Sequence, residues 1–220
     1  MSSLWLVLAM FLPLTVVLAQ GDVSIEDDWR LVLVNDDNAL DEDYEFELTE
    51  LQNDFLVDER IYEDLQAMFD DARSVGVYPL IVSAYRSRKE QQAIIDERVN
   101  NFMAQGMSWQ AAYDETMRTV AEPGHSEHET GLAVDINAEN EADQVVYDWL
   151  AVNAHFYGFI VRYPANKVEE TGIDYEPWHF RYVGVEHATE IYENDLSLEA
   201  YLELLEEEEE ENTESAESNK

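Results

Sequence analysis

Cysteine is absent from the 220-residue sequence. A chain without cysteine has neither a disulfide framework nor a lipoprotein attachment site, so any additional cross-link must come from a bound metal. Basic residues are also scarce, since 12 lysines and arginines accompany 50 aspartates and glutamates and the formal net charge is −38. This charge repels polyanions and argues against nucleic acid or an anionic membrane surface as a partner. We interpret the acidity as a solvated protein surface.

A long apolar run lies at the N-terminus, over residues 4–19, and only one proline and one threonine interrupt it. It ends in small residues that a signal peptidase could cut before Gln20. We therefore predict a signal peptide over residues 1–19 and an exported protein that is extracellular, periplasmic or associated with the cell wall, with no stable membrane insertion after cleavage. The run is shorter than the roughly 20 residues of a typical membrane span. However, the first basic residue is Arg30, so an uncleaved N-terminal anchor is the alternative.

The rest of the chain divides by composition into three parts. Residues 20–30 form a short polar linker, residues 31–205 mix apolar and polar residues as a folded domain does, and residues 206–220 are acidic and polar. This length allows one domain with a sizeable core and leaves little room for a second. A block of like charges cannot bury a core, so we predict a disordered tail. We expect a monomer.

Hydrophobic periodicity predicts strands and helices within the central domain. The predicted strands cover residues 31–34, 77–83, 132–136, 159–163 and 178–183, and the predicted helices cover residues 58–75, 89–102, 109–120, 141–154 and 186–205. In the strand at 132–136, alternation directs Leu132, Val134 and Ile136 to the core and Asp135 to the opposite face. In the helix at 141–154, the residues predicted to face inward are Val145, Trp149 and Leu150.

Two histidines and an aspartate, His128, Asp135 and His179, form a candidate set of metal ligands. A catalytic zinc uses three protein ligands of these types and keeps a fourth position for water. Nickel, cobalt and manganese accept the same ligand types, but zinc is our choice. His128 and Asp135 lie too far apart in sequence for neighbouring turns of one helix. A turn at Gly131 must therefore bring them together.

Glu176 stands three residues before His179 and is the candidate general base. Pro177 disfavours helical geometry at Glu176, so this segment approaches the metal as extended chain. Strict alternation would place Glu176 and His179 on opposite faces, which means that the Pro-Trp step must bend. We predict that Glu176 takes a proton from the attacking water and later gives it to the leaving amine. Trp178 lies close enough to the ligands to line the pocket.

Arg86 follows the strand predicted at residues 77–83 and is the candidate for holding negative charge. That charge is either the oxyanion that develops on the attacked carbonyl or the carboxylate at the C-terminus of the substrate. A structural ion pair is the ordinary alternative for an arginine at this place. The two roles and the structural alternative all fit the sequence.

At these residues the sequence resembles the VanY-type zinc D-alanyl-D-alanine carboxypeptidases, which are peptidoglycan peptidases of the LAS type. Residues 126–135 match the family signature Ser-x-His-x-x-Gly-x-Ala-x-Asp in full, and residues 176–179 match its Glu-Pro-Trp-His. The resemblance extends over residues 31–205. It implies an α+β fold in which a small antiparallel sheet carries the zinc site and helices pack beside it.

The resemblance also implies roles for individual residues. The implied zinc ligands are His128, Asp135 and His179, the implied base is Glu176, the implied charge-stabilising residue is Arg86, and the implied substrate contacts are Gln91 and Ser126. The sequence departs from many relatives at Asp36, where a basic residue is frequent.

The resemblance implies a zinc-dependent carboxypeptidase that removes the C-terminal D-alanine from peptidoglycan stem peptides. An LD-carboxypeptidase or a peptidoglycan endopeptidase of the same fold is the nearest alternative. A noncatalytic wall-binding or zinc-storage module is an alternative from another class. Such a module would commonly have lost the base, so the presence of Glu176 favours an enzyme.

Overall fold

The computed structural model describes residues 28–140 and 142–218. The predicted signal peptide and residues 20–27 of the predicted linker lie outside these ranges. Within them, no helix has both the length and the apolar character that crossing a membrane requires.

The described chain is built from short strands and from helices that alternate with them. The strands are β1 (Leu48–Glu50), β2 (Leu56–Asp58), β3 (Pro79–Ser83), β4 (Ala133–Ala138), β5 (Phe159–Tyr163) and β6 (Glu176–Tyr182). The helices are α1 (Tyr62–Ser74), α2 (Arg88–Ala104), α3 (Trp109–Thr116), α4 (Asp143–Asn153), α5 (Val168–Thr171), α6 (Val185–Glu193) and α7 (Leu198–Ser218).

Four strands form one antiparallel sheet in the order β3-β4-β6-β5, and β1 and β2 form a separate antiparallel pair. One face of the four-stranded sheet packs against α1 and α4. Its buried residues include Leu132, Val134, Ile136 and Phe180 from the sheet region, Leu65 and Met68 from α1, and Val146 and Leu150 from α4. Burying each such side chain contributes about 1.5–3 kcal/mol. The predicted α+β class, with a small antiparallel sheet and helices beside it, is confirmed.

The predicted strand at residues 31–34 is wrong. The chain forms a 3-10 turn at Trp29–Leu31 and then continues without strand pairing. The guanidinium of Arg181 donates hydrogen bonds to the carbonyls of Arg30 and Val32, at 3.0 and 2.8 Å. A side chain therefore satisfies the acceptors that a neighbouring strand would have used. The apolar side chain of Leu31 instead packs with α6 and α7.

The helix predicted at residues 109–120 ends at Thr116, four residues earlier than expected. The inward face predicted for α4 also differs from the observed one. On α4, Val146 is buried and Val145 is 42% exposed, so the predicted inward position of Val145 is wrong by one residue. The buried stripe follows Val146 and Leu150, which lie one helical turn apart.

The helix predicted at residues 186–205 is two helices, α6 and α7. The second of these continues through the acidic run to Ser218, where the composition predicts a disordered tail. Glutamate is a good helix former, and extending a helix costs much less than starting one. Buried Leu198, Leu202 and Leu205 anchor its first turns.

Candidate metal centre

The side chains of His128, Asp135 and His179 converge on one point beside β4 and β6. Each offers one ligand atom, and these atoms all lie within 4.8 Å of one another. Asp135 on β4 and His179 on β6 are direct partners in the strand register. Oδ1 of Asp135 lies 3.0 Å from Nδ1 of His179 and 3.4 Å from Nε2 of His128. The three predicted ligands therefore form one cluster.

Gly131 makes the turn that places His128 beside β4. His128 lies in a 3-10 turn at Glu127–Thr130, and Gly131 ends this turn with φ +74°, in the left-handed region that favours glycine. A Cβ atom at this position would lie 2.8 Å from the backbone nitrogen of Asp58. No side chain fits there without displacing the backbone, so the turn requires glycine.

The imidazole of His128 is held in the form that binds a metal. Its Nδ1 lies 2.7 Å from the carbonyl oxygen of Ala84, so Nδ1–H donates to that carbonyl and Nε2 carries the lone pair. Nε2 is buried and has no hydrogen-bond partner among the described residues. Burial lowers the pKa of His128 to about 4, so the ring is neutral at pH 7. A buried nitrogen without a partner that faces a carboxylate fits a metal ligand.

His179 uses its two ring nitrogens differently. Nδ1 faces Asp135, and Nε2 lies 3.3 Å from Oε2 of Glu127. Burial by itself would lower the pKa of His179, but the hydrogen bonds to Asp135 and Glu127 outweigh it and raise the pKa to about 9. Glu127 therefore holds the Nε2 proton and leaves Nδ1 as the nitrogen that can bind a metal.

Glu127 is a buried carboxylate between two buried arginines. Its Oε1 accepts hydrogen bonds from Nε of Arg162 at 2.7 Å and from Nη1 of Arg181 at 2.9 Å, and all three side chains are 0% exposed. The two positive charges outweigh the effect of burial and hold the pKa of Glu127 far below its usual range. Sequence reasoning missed this residue. Arginines in two otherwise apolar strands were the available signal, because each requires a buried counter-charge.

Glu176 lies beside the cluster at the start of β6. Its Oε2 is 4.0 Å from Nδ1 of His179. The register between β5 and β6 shifts between Val161 and Tyr163, which supplies the bend that the sequence required at this step. Burial raises the pKa of Glu176 to about 7, although the charges of His179, Arg98 and Arg86 oppose the rise. At neutral pH this carboxyl group can both accept and return a proton.

Arg86 contacts the metal cluster from the side opposite β6. Its Nη2 lies 3.4 Å from Oδ2 of Asp135, and its Nη1 donates to Oε1 of Gln91 at 2.8 Å. Gln91 is itself held by a hydrogen bond to the carbonyl of Ala121. Burial lowers the pKa of Arg86, but a guanidinium stays charged at neutral pH.

All the predicted site residues line one cleft. The cleft contains Arg86, Gln91, Ser126, His128, Asp135, Glu176, Trp178 and His179. It also contains Glu127 and Arg98, which the sequence analysis did not single out. Two imidazoles and a carboxylate, with no thiolate, are ligands that suit zinc. A second carboxylate beside them that can act as a general base is typical of a single-metal hydrolase.

Comparisons with known proteins agree with this class. Residues 54–185 match the family model of VanY D-alanyl-D-alanine carboxypeptidase. A D-alanyl-D-alanine carboxypeptidase of Enterococcus faecalis is 48% identical over 185 residues, which cover 83% of this chain and 68% of the relative. The chain therefore belongs to the VanY D-alanyl-D-alanine carboxypeptidase family.

Solved structures show the same relationship. The vancomycin-resistance D,D-pentapeptidase VanY, solved as a variant with Zn(II), has 48% identity and a TM-score of 0.77, with 79% of this chain and 99% of that chain covered. VanYB, solved with D-alanine-D-alanine, has the same identity and TM-score, with 80% and 98% covered. The LD-carboxypeptidase LdcB has 36% identity and a TM-score of 0.63, with 84% and 92% covered.

Proposed function

We propose that this protein is a zinc-dependent carboxypeptidase that removes the C-terminal D-alanine from peptidoglycan stem peptides. The observation that carries the proposal is the position of Glu176, 4.0 Å from a histidine of the buried His128, Asp135 and His179 cluster. Membership of the VanY family and the similarity to a D,D-pentapeptidase solved with Zn(II) support the same reaction and the same metal.

The chain offers three atoms to the zinc ion, which are Nε2 of His128, a carboxylate oxygen of Asp135 and Nδ1 of His179. When bound, zinc polarises the scissile carbonyl and lowers the pKa of water. Glu176 takes a proton from the attacking water and gives it to the nitrogen of the departing D-alanine. In the metal-free protein burial raises its pKa to about 7, and this environment favours a carboxylate that accepts a proton readily.

Arg86 is the residue that stabilises charge on the attacked carbonyl. Its guanidinium lies against Asp135, one of the proposed zinc ligands, and an arginine beside the metal can stabilise the negative charge that develops on the carbonyl oxygen. Gln91 orients Arg86 through the 2.8 Å hydrogen bond to Nη1. Ser126 and Trp178 line the same cleft and contact the peptide.

Peptidoglycan lies outside the cytoplasm, so an enzyme that acts on it must be exported. We propose that residues 1–19 are a signal peptide, that residues 31–205 form the catalytic domain, and that the exported protein acts as a monomer at the cell wall. N-terminal sequencing of the protein recovered from the producing cells tests the cleavage, with Gln20 as the expected first residue. A first residue of Met1 would instead identify an anchor.

The similarity to LdcB supports LD-carboxypeptidase activity as the second candidate. A panel of three substrates separates the candidates: a pentapeptide stem ending in D-Ala-D-Ala, a tetrapeptide stem, and a cross-linked dimer. Each is incubated with the zinc-loaded protein, and the released D-alanine or separated peptide is measured. We expect D-alanine from the pentapeptide, and release only from the tetrapeptide or cleavage only of the dimer would replace this assignment.

A noncatalytic module would bind the stems and release nothing. The matched control is Glu176→Gln, which keeps the metal ligands and removes the base. If the zinc-loaded native protein releases no more D-alanine than this variant from any stem, the proposed enzyme activity is wrong.

A further inference from the structure

Arg98 differs from the other arginines in its partners. The sequence contains nine arginines, all of which lie in the described part of the chain. Eight of them form an ion pair with a carboxylate, and these are Arg30, Arg60, Arg73, Arg86, Arg88, Arg118, Arg162 and Arg181. Arg98 forms none with the described residues and donates one hydrogen bond, at 2.7 Å, to the hydroxyl of Thr119. In a protein with 50 acidic residues, a guanidinium without a carboxylate partner needs an explanation.

Arg98 lies in the cleft that contains the candidate metal centre. Gln91, Ile94 and Arg98 all line this cleft from α2, and their spacing of three and four residues places them on one face of the helix. Arg98 is exposed, whereas Arg86 is 16% exposed and directs three of its five N–H donors to Ser83, Gln91 and Asp135. The positive charge of Arg98 also contributes to the electrostatics of Glu176 and Arg86.

The negative net charge of the protein makes the positive side chain of Arg98 in the cleft important. At −38, the protein as a whole repels an anionic peptide. A stem peptide ends in a carboxylate, and a carboxypeptidase must recognise that end. A guanidinium binds a carboxylate through two parallel hydrogen bonds, which makes arginine the most suitable side chain for this recognition.

We infer that Arg98 binds the C-terminal carboxylate of the peptide substrate, and that Arg86 is thereby left to the developing oxyanion. This inference rests on the proposed function, because it names the substrate group that the same cleft recognises. It also decides between the two roles that the sequence left open for Arg86. Arg86 is held against Asp135 in the interior, while Arg98 reaches the cleft from its exposed wall.

The test compares equilibrium binding of D-Ala-D-Ala and of its C-terminal amide. Binding is measured by calorimetry on the zinc-loaded full chain. The chain carries Glu176→Gln, which prevents turnover during the measurement. We expect the carboxylate form to bind about 10- to 100-fold more tightly than the amide, which is the range of a charge-assisted hydrogen bond. Adding Arg98→Gln should remove this preference, and Arg98→Lys should restore most of it. Equal binding of the two ligands before Arg98 is changed, or no binding of either, would overturn the inference.

Kinetics with the pentapeptide stem supply the second measurement. In otherwise native protein, Arg98→Gln should raise KM about 10- to 100-fold and leave kcat within about threefold, because the carboxylate contact is present in both ground and transition states. The matched control is Arg73→Gln, an exposed arginine on α1 that lies outside the cleft, and its KM should not change. A fall in kcat with KM unchanged would place Arg98 with the reacting atoms and overturn the inference. If native protein releases no D-alanine, the proposed function fails. The binding measurement still tests whether Arg98 binds the carboxylate of the ligand.

Discussion

Asp135 and His179 face each other across β4 and β6, with Oδ1 of the first 3.0 Å from Nδ1 of the second. The register of the sheet thus fixes two of the three candidate ligands. The third, His128, is fixed by its hydrogen bond to the carbonyl of Ala84, which follows β3 directly. Three neighbouring strands therefore determine the ligand positions before any metal binds, and a metal site held in this way is preorganised.

Replacing Glu176 with glutamine should abolish turnover and leave zinc bound. The amide has nearly the shape of the carboxyl group but cannot accept the proton of the attacking water. We expect kcat for the pentapeptide stem to fall about 100- to 10,000-fold, as is usual for loss of a general base. Zinc content, measured by atomic absorption, should stay at the native level because Glu176 is not among the three clustered ligands.

The control for this variant is Glu139→Gln, which changes an exposed glutamate just after β4. It should keep native kcat and native zinc content. Unchanged hydrolysis in Glu176→Gln would remove this residue from the mechanism, and loss of zinc would make it a ligand rather than a base.

Zinc affinity should rise with pH across the neutral range. In the metal-free protein the pKa of His179 is raised to about 9, so this ring carries protons on both nitrogens and is positively charged at pH 7, while His128, with its pKa lowered to about 4, is neutral. A metal that binds Nδ1 of His179 must displace that proton. We expect the affinity to increase about tenfold per pH unit between pH 6 and pH 8. Competition with a chelator at several pH values measures this slope.

Proton release gives an independent check of the same point. Calorimetry of zinc binding at pH 7.5, in two buffers with different ionisation enthalpies, should show release of about one proton from His179 per zinc ion. A flat affinity between pH 6 and pH 8, without proton release, would show that His179 is neutral in the metal-free protein.

The sequence predicted which residues come together better than it predicted the boundaries of the helices and strands. The ligand positions follow from local chemistry. Gly131 is needed for the turn, and alternation in β4 separates Asp135 from the core. Pro177 keeps Glu176, at the start of β6, in an extended conformation. These effects act over a few residues, so they can be read from the sequence. The strand expected at residues 31–34 failed because a distant side chain, Arg181, occupies its carbonyls.

Glu127 and Arg98 were missed for a related reason. Glu127 lies inside the signature at residues 126–135, but its partners come from β5 and β6. Arg98 differs from the other arginines because it has no ion pair with a carboxylate among the described residues. This difference can be recognised only when the ion pairs of the other arginines are known. Neither property is local, so neither can be obtained from composition or spacing.

Replacing Glu127 with glutamine should weaken both the fold and the metal site. The change leaves Arg181 buried without a carboxylate partner among the contacts that the structure shows for it, and breaking a buried ion pair costs about 3–5 kcal/mol. It also weakens the acceptor that holds the Nε2 proton of His179, so zinc affinity should fall about 10- to 100-fold. Urea unfolding of the metal-free protein measures the first effect, and chelator competition measures the second.

The matched control is Glu199→Gln. Glu199 on α7 pairs with Arg162 from the outer side, at 2.5 Å, and among the described residues it does not contact His179. This variant should lose stability but keep native zinc affinity. If both variants lower zinc affinity equally, the effect of Glu127 is a general loss of stability and Glu127 does not position His179.

Replacing His128 with alanine should abolish stabilisation of the protein by zinc. A ligand at about 1,000 times its Kd stabilises the native state by about 4 kcal/mol, which corresponds to a rise in Tm of about 8–16 °C for a chain of this size. Scanning calorimetry with and without zinc should show this rise in the native protein and little or none in His128→Ala. His125→Ala is the control, because His125 bonds the carbonyl of Asn35 and lies outside the ligand cluster, so it should keep the full rise. A rise in His128→Ala as large as in the native protein would mean that zinc binds elsewhere, because the remaining pair of Asp135 and His179 offers one ligand fewer than a catalytic zinc site uses.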